Sequence, residues 1–391
     1  MIYIHTRYFL DPYASLSFYD RKQVYELEGW ISMKDSLVYV GTYTWDFSKN
    51  APGRSEGIYT YRLDASSGDL ELVGKTTGVE NPSFLITDSK QNYLYSVNEL
   101  RAFEGKPTGT VSSFSIDKET GELTFLNKQL SRGSMPCHLC INKTDKFVLV
   151  SNFFGGSVSV FPIIEDGSLG EATDFVQHQN DAERNKSPRA HSATLDPANK
   201  YVFVADRGLD KIMIYRFDSA NGKLTPNDTP WFEAKLDSGP RHFTFHPNGK
   251  YAYLINERDS TLISFAYDNN GGLKELQTVP CLPKDFTSKN LGADVHVNPA
   301  GKFVYGSNRG HDSIVIYRIE NSGNLTYVGN ESTKGRTPRN FAIDPTGRFL
   351  FAANQDSDSI VTFRIDDDTG RLTPTGHSVE VPMPTYIKIL S

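Results

Sequence analysis

Over short runs along most of the chain, apolar residues alternate with polar or aromatic ones, the period-two pattern of strands with a buried face. The runs recur as near copies: SIVIYRIE at 313–320 is repeated as SIVTFRID at 359–366, and each leads through a turn to a Gly-x-Leu triplet that opens another run. The triplets begin at Gly68, Gly121, Gly167, Gly222, Gly323 and Gly370, and in the fifth unit Gly271 and Gly272 precede Leu273. Seven copies of a unit of about fifty residues, each reading as four strands, predict a β-propeller with seven blades.

The front of each unit repeats as well. It opens with a proline, runs through a short strand, turns at an Asp/Asn-Pro-x-Gly-Lys type sequence and re-enters a strand that ends near an Asn. The fifth copy, GPRHFTFHPNGKYAYLINER, predicts a first strand over 243–245, a turn at Pro247, Asn248 and Gly249, and a second strand over 251–255. In the other copies the second strand begins at Tyr93, Phe147, Tyr201, Phe303 or Phe349. The first unit lacks an opening strand, because residues 36–43 already read as a second strand; PMPTYIKIL at 382–390 is expected to supply it. The expectation is therefore an all-β, seven-bladed propeller of four-stranded antiparallel blades, closed by N- and C-terminal strands in one blade. Residues 33–391 form that domain and residues 1–32 an extension outside it.

Composition narrows the function. With 38% hydrophobic and 23% charged residues, 31 glycines, 20 tyrosines and 24 phenylalanines, the chain reads as folded, turn-rich and β-heavy. A net charge of -6 argues against broad nucleic-acid binding, which needs clustered Lys and Arg. Three cysteines fit neither a disulfide framework nor a four-ligand zinc site; the CxxC of Cys137 and Cys140 falls at a strand start, and a reducing compartment fits best. No apolar run is long enough to span a bilayer and no signal-peptide pattern opens the chain, so a cytoplasmic protein with no membrane partner is expected. Phosphate-binding loop, GxSxG and HExxH motifs are absent, which disfavours covalent serine chemistry, and the Asp366 to Asp368 run reads as a solvated turn.

In a propeller, equivalent repeat positions form rings around the central channel. Just past each second strand the ring holds Glu99, Phe153, Arg207, Glu257, Arg309 and Gln355. A second ring, from the opening segment, holds Ser83, Cys137, His191, Arg241, Ala293 and Arg339; one residue on come Phe84, His138, Ser192, His242, Asp294 and Asn340. Carboxylates, guanidiniums and imidazoles at equivalent places suit a pocket for a polar ligand. Arg241 and Arg339 are candidates to hold a carboxylate or phosphate, and Glu257 or a histidine to activate water.

The motifs AHSATLDP at 190–197, GPRHFTFHPN at 239–248, INER at 255–258, GADVHVNPAGKFVY at 292–305, SNRG at 307–310 and TPRNFAIDPTGR at 337–348 carry a resemblance that spans residues 34–391. The chain resembles the propeller-type 6-phosphogluconolactonases, relatives of the carboxy-muconate lactonising enzymes. The resemblance implies hydrolysis of 6-phosphogluconolactone to 6-phosphogluconate, in the pentose phosphate pathway, without metal or organic cofactor. It places catalytic residues at His191, Arg241, Glu257 and Arg309, with His242, Asp294, His296 and Arg339 as supporting, substrate-binding candidates, to which the ring positions add His138, Glu99 and Arg207. Ala190 stands where these lactonases often have Cys, and Leu291 or Gly292 where Trp is common. The partner expected is a phosphorylated sugar lactone. A lactonase or lactonising enzyme for another lactone, and a non-catalytic binding propeller, are the competing readings; the sequence is compatible with a monomer.

Overall fold

The computed structural model of the chain describes residues 36–47 and 50–390. The expected extension at 1–32 and the first residues of the expected domain, 33–35, lie outside the described residues.

Seven four-stranded antiparallel sheets are formed, each in simple up-and-down order except one. In the exception, the C-terminal strand Pro384–Ile389 lies inside Ser36–Thr42, with Val38 opposite Ile389 and Tyr39 opposite Lys388. The two ends of the propeller chain thus share one blade, as the missing opening strand of the first unit predicts. A small hairpin of Trp45–Asp46 and Ala51–Pro52 stands beside this blade.

The two repeated signatures of the sequence meet across blade boundaries. A Cβ built on Gly167 would sit 2.1 Å from the Tyr93 ring of the preceding blade, and one on Gly370 would sit 2.4 Å from Phe303. Gly68 meets Phe349 in the same way, Gly222 meets Phe147, Gly271 meets Tyr201 and Gly323 meets Tyr251. Each triplet glycine therefore seats the aromatic that opens the neighbouring second strand, and its positive φ closes the hairpin turn. Only Gly121 breaks the pattern, packing on Leu37, the first blade's aliphatic substitute. The Asp/Asn of the intervening turn acts locally. In the fourth unit Asp196 Oδ1 accepts the Lys200 and Tyr201 amides at 2.6 and 2.8 Å, which starts the second strand.

Apolar residues gather in clusters that lie between blades. Val40, Tyr61, Phe351 and Ile360 join the first blade to the last, and Phe203, Ile212, Leu254 and Phe265 join the fourth to the fifth. The inner three strands of each sheet are covered on both faces by neighbouring blades, so the ring is a closed series of interfaces, while the outermost strands carry exposed residues such as Leu72, Phe125 and Tyr327.

Candidate active site

The inner strands Pro136–Ile141, Ala190–Leu195, Pro240–Phe245 and Pro338–Ile343 share an irregularity at one end. Their pairing with the second strand slips between Pro136 and His138, Ala190 and Ser192, Pro240 and His242, and Pro338 and Asn340. The extra residue in these bulges is Cys137, His191, Arg241 or Arg339. A bulge re-aims one side chain without disturbing the rest of the ladder, and here it turns these four residues toward the channel mouth. The bulge also explains why alternation in the fifth copy pointed to a strand over 243–245, whereas the strand begins at Pro240.

Glu257, at the end of the strand Tyr251–Asn256, is the centre of the mouth. Its Oε1 accepts from Arg207 Nε at 2.8 Å, and Arg207 brings a second nitrogen to 2.8 Å. Its Oε2 lies 3.2 Å from Arg241 Nε and 3.2 Å from Arg309. Burial by itself would raise the carboxyl, but the Arg309, Arg241 and Arg207 guanidiniums outweigh it and hold Glu257 down at about 2. The carboxylate is ionised and ringed by three guanidiniums.

Arg241 and Arg309 each keep a buried Nε–H with no hydrogen-bond partner among the described residues. Arg241, only 2% exposed, also donates to the Ala293 carbonyl and lies 3.2 Å from His242 Nε2. Burial and the neighbouring Arg309 and Arg339 charges push it down to about 9. Arg309 donates to the Gly292 carbonyl at 3.1 Å, yet its buried Nε–H has no partner among the described residues.

His191 stands beside this group with its ring 5.4 Å from Phe153 and 5.3 Å from His242. The Cys137 thiol donates to the His191 carbonyl at 3.3 Å and lies 3.9 Å from Nδ1. Burial, followed by the Arg241 charge, keeps the imidazole well below the ordinary histidine range, so it is neutral at pH 7.

Across the mouth a second carboxylate, Glu99, is held differently. Its Oε2 accepts from Tyr43 at 2.8 Å and from Ser83 at 2.5 Å, with Arg339 at 3.9 Å. Arg339 donates to the Tyr43 hydroxyl at 2.7 Å. Arg241 and Arg339, expected from the sequence to wait for an anion, are thus already engaged. Tyr43 escaped the sequence reading although it follows the second strand of the first unit, the place Glu99 occupies in the second. Thr385 and Tyr386 complete the inner rings and were missed because their strand comes last in the chain.

His138, His242, Asp294 and His296 line a cavity of about 210 Å³, with Phe84 and Tyr386 also in its wall. His242 Nδ1 is 2.6 Å from Asp294 Oδ1, and His296 Nε2 is 2.9 Å from Asp294 Oδ2, an oxygen that also accepts from Asn340. Burial alone would raise Asp294, but the His296 and His242 rings hold it well below the usual carboxylate range. His242 is pushed down to about 4 by burial and then by Arg241, whereas for the half-buried His296 the Asp294 charge outweighs desolvation and raises it. The eleven candidates thus divide. His191, Arg207, Arg241, Glu257 and Arg309 form one group at the mouth, with Glu99 and Arg339 across from it; the other four form an interior network, joined to the mouth through Arg241 and His242.

Residues 37–389 match the family described as lactonase, 7-bladed beta-propeller. The chain is 39% identical to the 6-phosphogluconolactonase of Bacillus subtilis over 92% of its own length and 99% of the relative's. It is 37% identical to that of Formosa agariphila over 78% of its length and 86% of the relative's. Among solved structures, the periplasmic gluconolactonase of Pseudomonas aeruginosa superposes with a TM-score of 0.84 at 31% identity, covering 92% of this chain and 99% of that one.

Proposed function

The chain belongs to the lactonase family of seven-bladed β-propellers, and we propose that it hydrolyses 6-phospho-D-glucono-1,5-lactone to 6-phosphogluconate at the mouth built on Glu257. The relatives of that name support the substrate. The observation that carries the chemistry is the cluster of Arg207, Arg241 and Arg309 on the ionised Glu257, in which the buried Nε–H groups of Arg241 and Arg309 have no hydrogen-bond partner among the described residues, together with a neutral His191 close to Arg241. Hydrolysis of a lactone needs a donor where the carbonyl oxygen becomes negative and a base for the attacking water.

In this scheme the lactone carbonyl accepts from Arg309, and water attacks C1 while its proton passes to His191. The tetrahedral intermediate collapses with cleavage of the bond from C1 to the ring oxygen. That oxygen takes the proton back from the His191 imidazolium, leaving the free acid, which ionises in water. Glu257 is a positioning residue here: its carboxylate, enclosed by Arg207, Arg241 and Arg309, anchors three guanidiniums. His242 and Asp294 support Arg241 from below, which gives the interior residues a supporting role rather than contact with substrate.

The test is the disappearance of 6-phosphogluconolactone, coupled to 6-phosphogluconate dehydrogenase and corrected for spontaneous opening. Wild-type turnover above that background is expected; its absence would remove this substrate. No helix among the described residues is long and apolar enough to cross a membrane, and a phosphorylated sugar substrate supports a cytoplasmic setting.

A further inference from the structure

Beside the reactive mouth runs a second, exposed set of arginines and aromatic rings. Phe153, whose ring lies against His191, packs 5.2 Å from the ring of Phe154, which is 41% exposed. The Arg207 guanidinium lies over Phe153 at 5.6 Å. Two further guanidiniums, Arg101 at 5.5 Å and Arg189 at 5.4 Å, lie over Phe154.

The backbones of both arginines are fixed. The Arg101 carbonyl accepts from Ser134 Oγ at 2.8 Å, while the Arg189 amide donates to Asp206 Oδ1 at 2.7 Å and its carbonyl accepts the Arg207 amide at 3.0 Å. Arg189 comes two residues before His191, and Arg101 two after Glu99, so the loops that shape the mouth also carry these side chains. Arg207, Arg241 and Arg309 share Glu257, and Arg339 faces Glu99. Arg101 and Arg189, by contrast, pair with no carboxylate among the described residues; Arg189 spends one nitrogen on the Pro188 carbonyl at 2.7 Å.

We propose that Arg101 and Arg189, braced on Phe154, form the subsite for the phosphate of the substrate, and so select a phosphorylated sugar lactone over its unphosphorylated counterpart. The proposal rests on the lactonase reading of the adjoining mouth. A guanidinium stacked on a ring keeps its N–H edge free, and that edge matches two oxygens of a phosphate. A dianion pushed into the buried mouth would compete with Glu257 for its arginines; at the Phe154 rim it meets cations with no acid to displace. In a chain of net charge -6 this is also a local attraction that an uncharged sugar lactone does not feel.

The experiment compares wild type with Arg101→Gln, Arg189→Gln and the double variant in two measurements. In the first, kcat/KM is measured on 6-phosphogluconolactone and on glucono-1,5-lactone. The preference for the phosphorylated substrate is expected to fall about tenfold in each single variant and about a hundredfold in the double, as loss of charge-assisted hydrogen bonds implies, with the change in KM. In the second, calorimetry measures binding of 6-phosphogluconate and of gluconate. Wild type is expected to favour the phosphorylated acid, and the double variant to lose that preference. An unchanged preference in the double variant, in rates or in affinities, overturns the subsite. Wild type that binds 6-phosphogluconate through these arginines but hydrolyses neither lactone would keep the subsite and sink the lactonase reading.

Discussion

Two carboxylates occupy equivalent ring positions on opposite sides of the mouth, and their surroundings are opposite in kind. Glu257 is gripped by three guanidiniums, whereas Glu99 is held chiefly by the neutral hydroxyls of Tyr43 and Ser83, with Arg339 more distant. The first arrangement leaves surplus positive charge and unspent donors on Arg241 and Arg309. The second spends hydroxyls on an anion and ties the first, second and last blades together. The same backbone position thus gathers guanidiniums on one side and hydroxyls on the other, and neighbours contributed by adjacent blades decide which.

The strongest way to break the contrast is to remove the reactive side's own groups. Arg309→Ala is expected to lower kcat about a hundredfold to a thousandfold, the usual cost of losing an oxyanion donor. His191→Ala should fall within about a hundredfold to ten-thousandfold, the range of a general base, with a melting temperature close to wild type. Turnover preserved in either variant takes that residue out of the scheme.

Glu257→Gln comes next, and its effect should show in stability as well as rate. Removing the acid leaves buried guanidiniums without their counter-ion, a change that typically costs about 3–5 kcal/mol, readable by denaturant titration. The pH dependence has a definite sign. A carboxyl held at about 2 in the folded chain, against an ordinary 4.5, contributes stability above 4.5 and loses it as pH falls toward 2. Melting curves of Glu257→Gln should lack that acid-side loss.

Asp294→Asn probes the interior. His296 is raised above 6.5 in the folded chain, so its share of stability is present below 6.5 and is lost as pH rises through the higher folded value. The variant should flatten this alkaline slope in a series of melting temperatures. An unchanged slope would mean that His296 does not depend on Asp294. Glu99→Gln is expected to do least to the rate, less than about tenfold, because hydroxyl donors can still reach an amide oxygen; a loss as large as that of Arg309→Ala would erase the distinction between the two sides.

The blades were legible because the repeat states its period seven times, and the ring positions because equivalent residues must share a level of the channel. The glycine and the aromatic were also visible, but as separate signatures: that Gly167 seats Tyr93 is a contact between units, and an alignment of units on one another cannot show it. The residues at the mouth were found by position, while their engagement was not. Whether Arg241 waits for substrate or grips Glu257 depends on a bulge and on three adjacent blades. The separation of mouth from interior was hidden too, since His191 and His242 stand in adjacent columns of the same alignment yet belong to different networks. Tyr43, Thr385 and Tyr386 were missed because one blade is assembled from both ends of the chain.

That shared blade has a consequence for biosynthesis. Asn340, which donates to Asp294, uses its Oδ1 to accept the Ile387 amide at 2.9 Å, and Phe84 packs 3.8 Å from Tyr386. The network around Asp294 is therefore completed by the strand Pro384–Ile389, which is made after every other strand of the propeller. A nascent chain stopped before Pro384 has every mouth residue from Tyr43 to Arg339 already made, but no strand to complete the ring around them. Completion of the ring, on this architecture, waits for the strand Pro384–Ile389, and a product truncated before it is left with an open blade edge that quality-control proteases can recognise.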